Sequence, residues 1–482
     1  MEVKSSMADQ NGSVRKIFVN TDKRVNTVRD RIQNAFGKFL GIPFLILIFF
    51  LILTGVLVFL ENSNPHWIRS MRQAVTPYLL ATPDKTGALL GTIATGLITQ
   101  NSIVISILLL VLQRVAGSMG NLIYDQYLRR HRNQVYLGYI MGLILMILLV
   151  NATINDTTNP VFTALIILVM TGISFFLLIW FLYSAVYQMR PETVVNEIHD
   201  NIFNANKQYQ KMLSRFREES ISDAPIQATL YAKDHGYVSK MKLDRLEKCL
   251  EDCDSDTEVI AHFTMGSFLS YGSKLFSIRT HHADEVEALS DCLRHVIVQE
   301  DQMTIVDNPK YGLRQMEAIA WTEGSTARQN PETSLMVLHG LQSIMGKLII
   351  DAKKAYDVDR IPFVYEDSVI QSAADVLESL AVVSSASLQH QIFTQVLENI
   401  RLAYPFASQA VRSKFMDVIR RILSAMGDHV LTDKLENALW ELSRTLTSEG
   451  DRVGARMVDA AREKLARSLG QLGSRSTRTQ SG

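Results

Sequence analysis

The sequence predicts an α-helical polytopic membrane domain with four transmembrane helices, followed by a cytoplasmic α+β region in which a small β-barrel-sandwich-like module precedes an α-helical bundle. Three observations carry this expectation. Apolar residues crowd into four long runs before Met189, and the chain after Arg190 has the charged, amphipathic texture of a soluble protein. Within that second part, short alternating runs broken by glycines give way to helical periodicity. The expected organisation is an N-terminal cytoplasmic segment at 1–41, a transmembrane domain at 42–190, a helical stem at 191–220, a β-rich module at 221–282, a helical domain at 283–469 and a disordered tail at 470–482.

The first apolar run, 42–60, carries no charge and is long enough to cross a hydrocarbon core of roughly 30 Å. Runs at 87–113, 135–151 and 161–187 also qualify. A signal peptide does not fit the first run, because a long polar segment precedes it and no small-residue cleavage site follows. Basic residues before the first span (Arg15, Lys16, Lys23, Arg24, Arg29, Arg31 and Lys38 among them) and Arg129, Arg130 and Arg132 between spans two and three assign both segments to the cytoplasm. The first connection is less clean, holding Arg69, Arg72 and Lys85. An even number of spans puts both termini inside.

The second span differs from the others. Thr92, Thr95, Thr99, Ser102, Ser106 and Gln113 recur at steps of three and four and line one helical stripe, beside Gln100 and Asn101. Such a stripe must face protein or water, because lipid offers hydroxyls and amides no partners. Two readings follow: a packing seam between helices, or the lining of an aqueous pathway within one subunit or at the axis of an oligomer. No ionisable residue falls inside a span, which disfavours a proton relay in the membrane. Arg114, Arg129, Arg130 and Arg132 form a basic cluster at the cytoplasmic mouth, suited to setting topology and meeting anionic headgroups.

The helix of the fourth span is expected to continue beyond Pro191, with Val195, Ile198, Ile202, Ala205, Tyr209, Met212 and Phe216 forming an apolar seam. That seam either joins subunits or packs on the protein's own soluble domain. Strands are predicted at 227–232, 236–241, 257–263 and 267–279 with a short helix at 243–252, and the two glycines Gly266 and Gly272 suggest the hairpin of a barrel-sandwich. Periodicity then predicts helices through to Ser468, punctuated by Pro309, Pro331, Pro362 and Pro405, without a repeat strong enough to indicate a solenoid.

Balanced charge, with 49 basic and 49 acidic residues, argues against nucleic acid as a partner. Cys249, Cys253 and Cys292 are too few for a disulfide framework and read as reduced cytosolic thiols. No phosphate-binding loop, HExxH, nucleophile elbow or zinc-spaced cysteine set is present, so neither a metal nor a cofactor is expected and the chain does not read as an enzyme. Asp307, Arg314, Glu317 and Asn330 surround an otherwise apolar helix; they form a surface charge network or a ligand or interface site, with Arg314 and Glu317 paired one turn apart.

Thr92-Ile93-Ala94, Ile98-Thr99, Ser106-Ile107 and Leu112-Gln113, followed by Arg129 and the group Gln134, Leu137 and Gly138, resemble the membrane signature of a bacterial family of predicted membrane proteins, domain-of-unknown-function family 2254. Gly236-Tyr237-Val238, Gly266-Ser267-Phe268, Leu313-Arg314-Gln315 with Ile319-Ala320, and Asn330-Pro331 with Thr333 resemble its cytoplasmic motifs in the same order. The sequence departs from the family at Gly120-Asn121-Leu122 and at Met303-Thr304. The resemblance implies the architecture and a bacterial inner membrane, and no function. From the stripe, the expectation is an oligomeric channel or transport-type protein, a homo-oligomer in the lipid bilayer with an unknown substrate or ion; the alternative is a non-conducting scaffold or sensor that docks a cytoplasmic partner.

Overall fold

The computed structural model describes residues 14–19, 21–23, 40–63, 65–75, 80, 82–119, 131–155, 159–188, 190–251, 253–254, 256–301, 303, 308–325, 331–352, 359–426 and 429–468. The fold is mostly helical and divides into two compact units, one comprising residues 26–193 and the other residues 1–25 with 194–482.

Among the described residues the first unit holds five helices: α1 (Gly41–Ser63), α2 (His66–Val75), α3 (Pro83–Met119), α4 (His131–Ala152) and α5 (Val161–Gln188). All but α2 are long and apolar enough to cross a membrane, with mean hydropathies from 1.8 to 3.0. Helix α2 is short and amphipathic. It buries Ile68 while Trp67 stays exposed and meets Phe162 edge to face. The closest helix crossing pairs α1 with α4 through Gly138 and Gly142, four residues apart on one face. A Cβ at Gly138 would stand 2.8 Å from the backbone of Pro43, and one at Gly142 would stand 2.6 Å from the Phe50 ring. Only glycine permits this approach.

The second unit begins with β1 (Arg15–Val19) and β2 (Asp22–Lys23), resumes with α6 (Pro191–Leu213), and continues through β3 (Ile226–Ala232), β4 (Gly236–Met241), α7 (Leu243–Glu251), β5 (Glu258–Ala261), β6 (Phe268–Leu269), β7 (Lys274–Arg279), α8 (Glu285–Leu293) and β8 (Ile297–Glu300). Among the described residues the strands form two sheets, and the expected barrel-sandwich is not confirmed. One has the order β1-β3-β7-β5-β9 and the other β2-β8-β4-β6, where β9 is Phe363–Val364. Strands β6 and β7, expected as a hairpin about Gly272, belong to different sheets, and Gly272 at φ +82° turns the chain from one to the other. The outer strands come from distant segments: β1 pairs parallel with β3, β2 with β8, and β9 with β5.

Among the described residues seven α-helices follow in this unit: α9 (Pro309–Gly324), α10 (Glu332–Ala352), α11 (Val369–Ala386), α12 (His390–Ala403), α13 (Gln409–Ala425), α14 (Asp433–Ser448) and α15 (Arg452–Ser468). Odd-numbered members pack on one another, even-numbered members do likewise, and several sequence neighbours bridge the rows. The bundle is thus a two-layer stack, the arrangement of helix-pair superhelices. Helices α10 and α11 also meet the length and apolarity of a membrane span, making six candidates among the described residues. The apolar seam on α6 packs against its own domain: Ile202 lies where a Cβ on Gly312 of α9 would sit, and Val195 approaches Gly340 of α10. Pro191 opens α6 as a separate helix rather than extending α5. The disordered tail expected from Gly470 lies outside the described residues.

Candidate functional site

Helix α3 turns one apolar face inward, and its outward surface combines a polar stripe with the exposed side chains of Ile98, Ile103, Ile105, Leu109 and Leu110. Leu90, Ala94, Leu97, Val104 and Leu108 are buried against the unit, while Thr92, Thr95, Thr99, Ser102, Ser106 and Gln113 are all exposed. The stripe is therefore no seam within one copy. Each hydroxyl from Thr92 to Ser106 donates to the carbonyl four residues earlier: Thr92 to Ala88 (2.8 Å), Thr95 to Gly91 (2.9 Å), Thr99 to Thr95 (2.9 Å), Ser102 to Ile98 (3.0 Å) and Ser106 to Ser102 (2.9 Å). These back-bonds satisfy the hydroxyl protons but leave oxygen lone pairs facing out. Gly91 and Gly96 beside them have no neighbour within 4 Å. Next to the stripe, a cleft of about 510 Å³ runs between α3 and α5, bordered by Thr92, Gly96, Thr99, Leu168 and Phe175.

Gln100, adjacent to the stripe in sequence, points the other way. It is buried, and its Nε2 donates to the Tyr136 hydroxyl (3.0 Å) and the Ser174 carbonyl (3.4 Å), tying α3 to α4 and α5. Of the basic cluster, Arg129 and Arg130 lie outside the described residues; Arg114 is carried on the last turns of α3 and Arg132 on the first turn of α4.

The anomalous arginine of the first connection has a partner that sequence reasoning missed. Glu61, at the end of α1, is buried and accepts from Arg72 Nη2 (2.6 Å) and from both the backbone N–H and the hydroxyl of Thr163 (3.1 and 3.2 Å). One carboxylate thus neutralises Arg72 and caps the N-terminus of α5. Its sequence signal was the acid itself at the edge of an apolar run.

In the second unit, Asp307 and Asn330 lie outside the described residues. Arg314 is exposed and Glu317 half-buried, and the ion pair expected of them is not among those of the described residues. The polar centre of this region lies nearby instead. The Tyr209 hydroxyl of α6 donates to Asp367 Oδ1 (3.2 Å) and contacts the Tyr365 hydroxyl (3.2 Å), which accepts from the Met265 N–H (2.7 Å). Asp367 also caps α11 through the Val369 N–H (3.0 Å). Lys310, on the first turn of α9, donates to Ser368 Oγ. Burial pushes the Asp367 carboxyl up and the Tyr365 phenol up to about 12, and it draws the Lys310 amine down to about 8.

The reading of three reduced thiols is corrected by a disulfide between Cys249 of α7 and Cys292 of α8, with Cα atoms 5.8 Å apart. The thiol of Cys253 reaches the Cys249 carbonyl (3.3 Å). The two helices that carry the bond pack together, a contact between segments 43 residues apart that local sequence does not announce. His390 and His429 approach through their Nδ1 atoms at 2.8 Å, with His429 Nε2 3.1 Å from Ser385 Oγ. Among the described residues no group of three or more His, Cys, Asp or Glu side chains could hold a metal.

An apolar multi-helix unit with an outward polar stripe, joined to a unit of two sheets and a helical stack, defines a multi-pass membrane protein. The chain belongs to the predicted membrane proteins of family DUF2254, which it matches over residues 37–361. No curated protein and no solved structure matches it.

Proposed function

We propose that the protein is an oligomeric channel or transport-type protein of the bacterial inner membrane, in which α3 helices of several copies surround the path and the sheet-and-stack unit assembles or gates it. The observation that carries this reading is the outward direction of the stripe. Helix α3 buries Leu90, Leu97 and Val104 and presents Thr92, Thr95, Thr99, Ser102 and Ser106 in one stripe, flanked by exposed Ile98, Ile103, Ile105 and Leu109. A second copy or a water-filled axis gives that outward stripe a polar surface to meet.

Four crossings, with both termini cytoplasmic, are supported by connectivity. Strands β1 and β2 pair with β3 and β8, so the chain returns between residues 26 and 193 to the side it left, and the number of crossings there is even. The two remaining candidates, α10 and α11, have the lowest hydropathies of the six, 1.3 and 1.2. They serve as soluble-core helices on this reading: they bury Val337, Leu341, Leu377 and Leu380 inside the stack, and β9 between them is held in a sheet by β5.

The test is solute or ion flux from full-length protein in liposomes, with Thr99→Leu and Ser102→Leu as variants. Altered flux in either supports the pore. Flux indifferent to both refutes it, and absent flux together with a stably co-purifying protein favours the scaffold reading.

A further inference from the structure

Lys310 and Ser368 are 58 residues apart in sequence and meet side chain to side chain. Lys310 follows the cap Asn308 and Pro309 at the start of α9; Ser368 is the cap residue of α11, yet its hydroxyl makes no capping bond to that helix and faces the lysine instead. The fold thereby brings two helix starts together around one amine and one hydroxyl.

An ammonium carries three donors and no acceptor. Lys310 is 8% exposed, and Ser368 Oγ is the one side-chain partner of its Nζ among the described residues, where no carboxylate stands within ion-pair distance. The contact is also within reach of the neutral amine, whose lone pair can receive the serine proton. The charged groups around it act in both directions: Asp367 and Glu366, on the segment entering α11, favour the ammonium, while Arg314, one turn along α9, opposes it. Burial outweighs the acids and holds the amine near 8. The start of α11 adds a second element. Asp367 takes the Val369 N–H, whereas the next two amides, those of Ile370 and Gln371, have no acceptor among the described residues. Two such donors beside a nucleophile can receive a developing oxyanion.

The geometry points to a serine–lysine dyad, Ser368 as nucleophile and Lys310 as its general base, that cleaves a carboxylic ester. Ser368 Oγ bonds to the acyl carbon as its proton passes to Lys310 Nζ. The ammonium returns that proton to the departing alcohol oxygen as the carbon–oxygen bond breaks. Water then adds to the acyl-serine, giving a proton to Lys310 that passes to Ser368 Oγ as the acid leaves. The net change is ester plus water to acid plus alcohol, with no other reactant. Sequence motifs did not reveal the pair because it lies on no common turn and follows no nucleophile-elbow pattern. This activity goes beyond the channel reading and does not rest on it.

The experiment treats full-length protein in detergent with a fluorophosphonate probe and a p-nitrophenyl ester, mapping the modified residue by mass spectrometry from pH 6 to 10. Labelling at Ser368 is expected to rise with pH through a midpoint near 8. Ser368→Ala abolishes it, and both Lys310→Met and Lys310→Arg reduce it by about 100-fold or more, the usual contribution of a general base. Melting curves identify any variant that fails to fold, and the pH profile of the unaltered protein stands independently of them. Folded protein that shows no labelling at Ser368 at pH 9, or labelling that Lys310→Arg leaves unchanged, overturns the dyad; retention of inorganic phosphate at the pair without ester cleavage overturns it in favour of an anion site.

Discussion

Glu258→Gln tests how the sheet unit is held together. Glu258 on β5 is 0% exposed, and three donors converge on its carboxylate: Arg217 Nη1 at 3.0 Å, the Ile221 N–H at 3.3 Å and the Ser220 hydroxyl. Burial alone raises such a carboxyl, but the bonds from Ser220, Ile221 and Arg217 outweigh it, and its pKa lies below the ordinary 4.5. The glutamine keeps the shape, and the Ser220 hydroxyl can rotate to accept from the new amide. The bonds from Arg217 and Ile221 lose their charge assistance, about 1 kcal/mol each. The Arg217 side chain, 25% exposed, keeps some access to water and so pays only part of the cost of an orphaned buried charge. The sum is about 2–3 kcal/mol, which lowers the melting temperature by at most ~4–12 °C at the roughly 2–4 °C per kcal/mol usual for domains of about 150–250 residues. Because the folded pKa is depressed, the stabilisation is complete above the unfolded value near 4.5 and is lost as pH falls through the folded value. Melting full-length protein in detergent at pH 7.5 should show the full gap between wild type and variant, and the gap should shrink below pH 4.5. A gap under about 1 °C at pH 7.5, or one that persists unchanged to pH 3, refutes the reasoning.

Three further outcomes follow from the packing and covalent links. Gly138→Ala should destabilise the membrane unit by about 1–3 kcal/mol, since its Cβ meets the Pro43 backbone at 2.8 Å, whereas Gly55→Ala, with nothing within 4 Å, should be near neutral in the same melting assay. Glu61→Gln and Arg72→Gln should each lower thermal stability, and the double variant should fall short of their sum because the two share one contact at 2.6 Å; strict additivity would deny the coupling. Non-reducing peptide mapping should recover Cys249 linked to Cys292 with Cys253 alkylated, and reduction should cost up to about 4 kcal/mol for a closed loop of 43 residues; an all-thiol map would remove the bond.

The legible parts of the sequence were those whose physics is local. An apolar run declares a span by itself, and β4 at Gly236–Met241 or α7 at Leu243–Glu251 follows from alternation and amphipathicity over a few residues. Strand partners were illegible because pairing is decided at a distance. Arg15–Val19 reads as a polar leader until Ala228 and its neighbours are known to lie beside it, and Gly266 and Gly272 mark turns without saying which sheet receives the next strand. The polar stripe on α3 was visible as a periodicity, but its direction was not, since only the packing of Leu90, Leu97 and Val104 fixes which side faces out. Lys310 with Ser368, Glu61 with Arg72, and Cys249 with Cys292 share that cause: each pair is made by tertiary contact, and each residue alone resembles an ordinary surface or loop position.

Connectivity also constrains how the sheet-and-stack unit could act on the stripe. The chain enters the membrane unit from β2 and leaves it through α6, so the covalent links between the units run to α1 and α5 and none runs to α3. On the channel reading, a change in the sheets that travels along the chain's covalent links reaches α3 through helix packing. One route is the α1–α4 contact at Gly138 and Gly142, followed by the α4–α3 bond from Gln100 to Tyr136 at 3.0 Å. Both steps are rigid, the first because Pro43 and Phe50 fill the space a side chain would need, the second because a buried amide must keep its partners. Gln100→Leu, which removes the second step while preserving bulk, should therefore weaken any response of flux to the soluble unit more than it alters the flux itself, whereas a direct pore residue such as Thr99 should do the reverse. Equal effects from the two substitutions would mean that α3 does not receive its motion through α4.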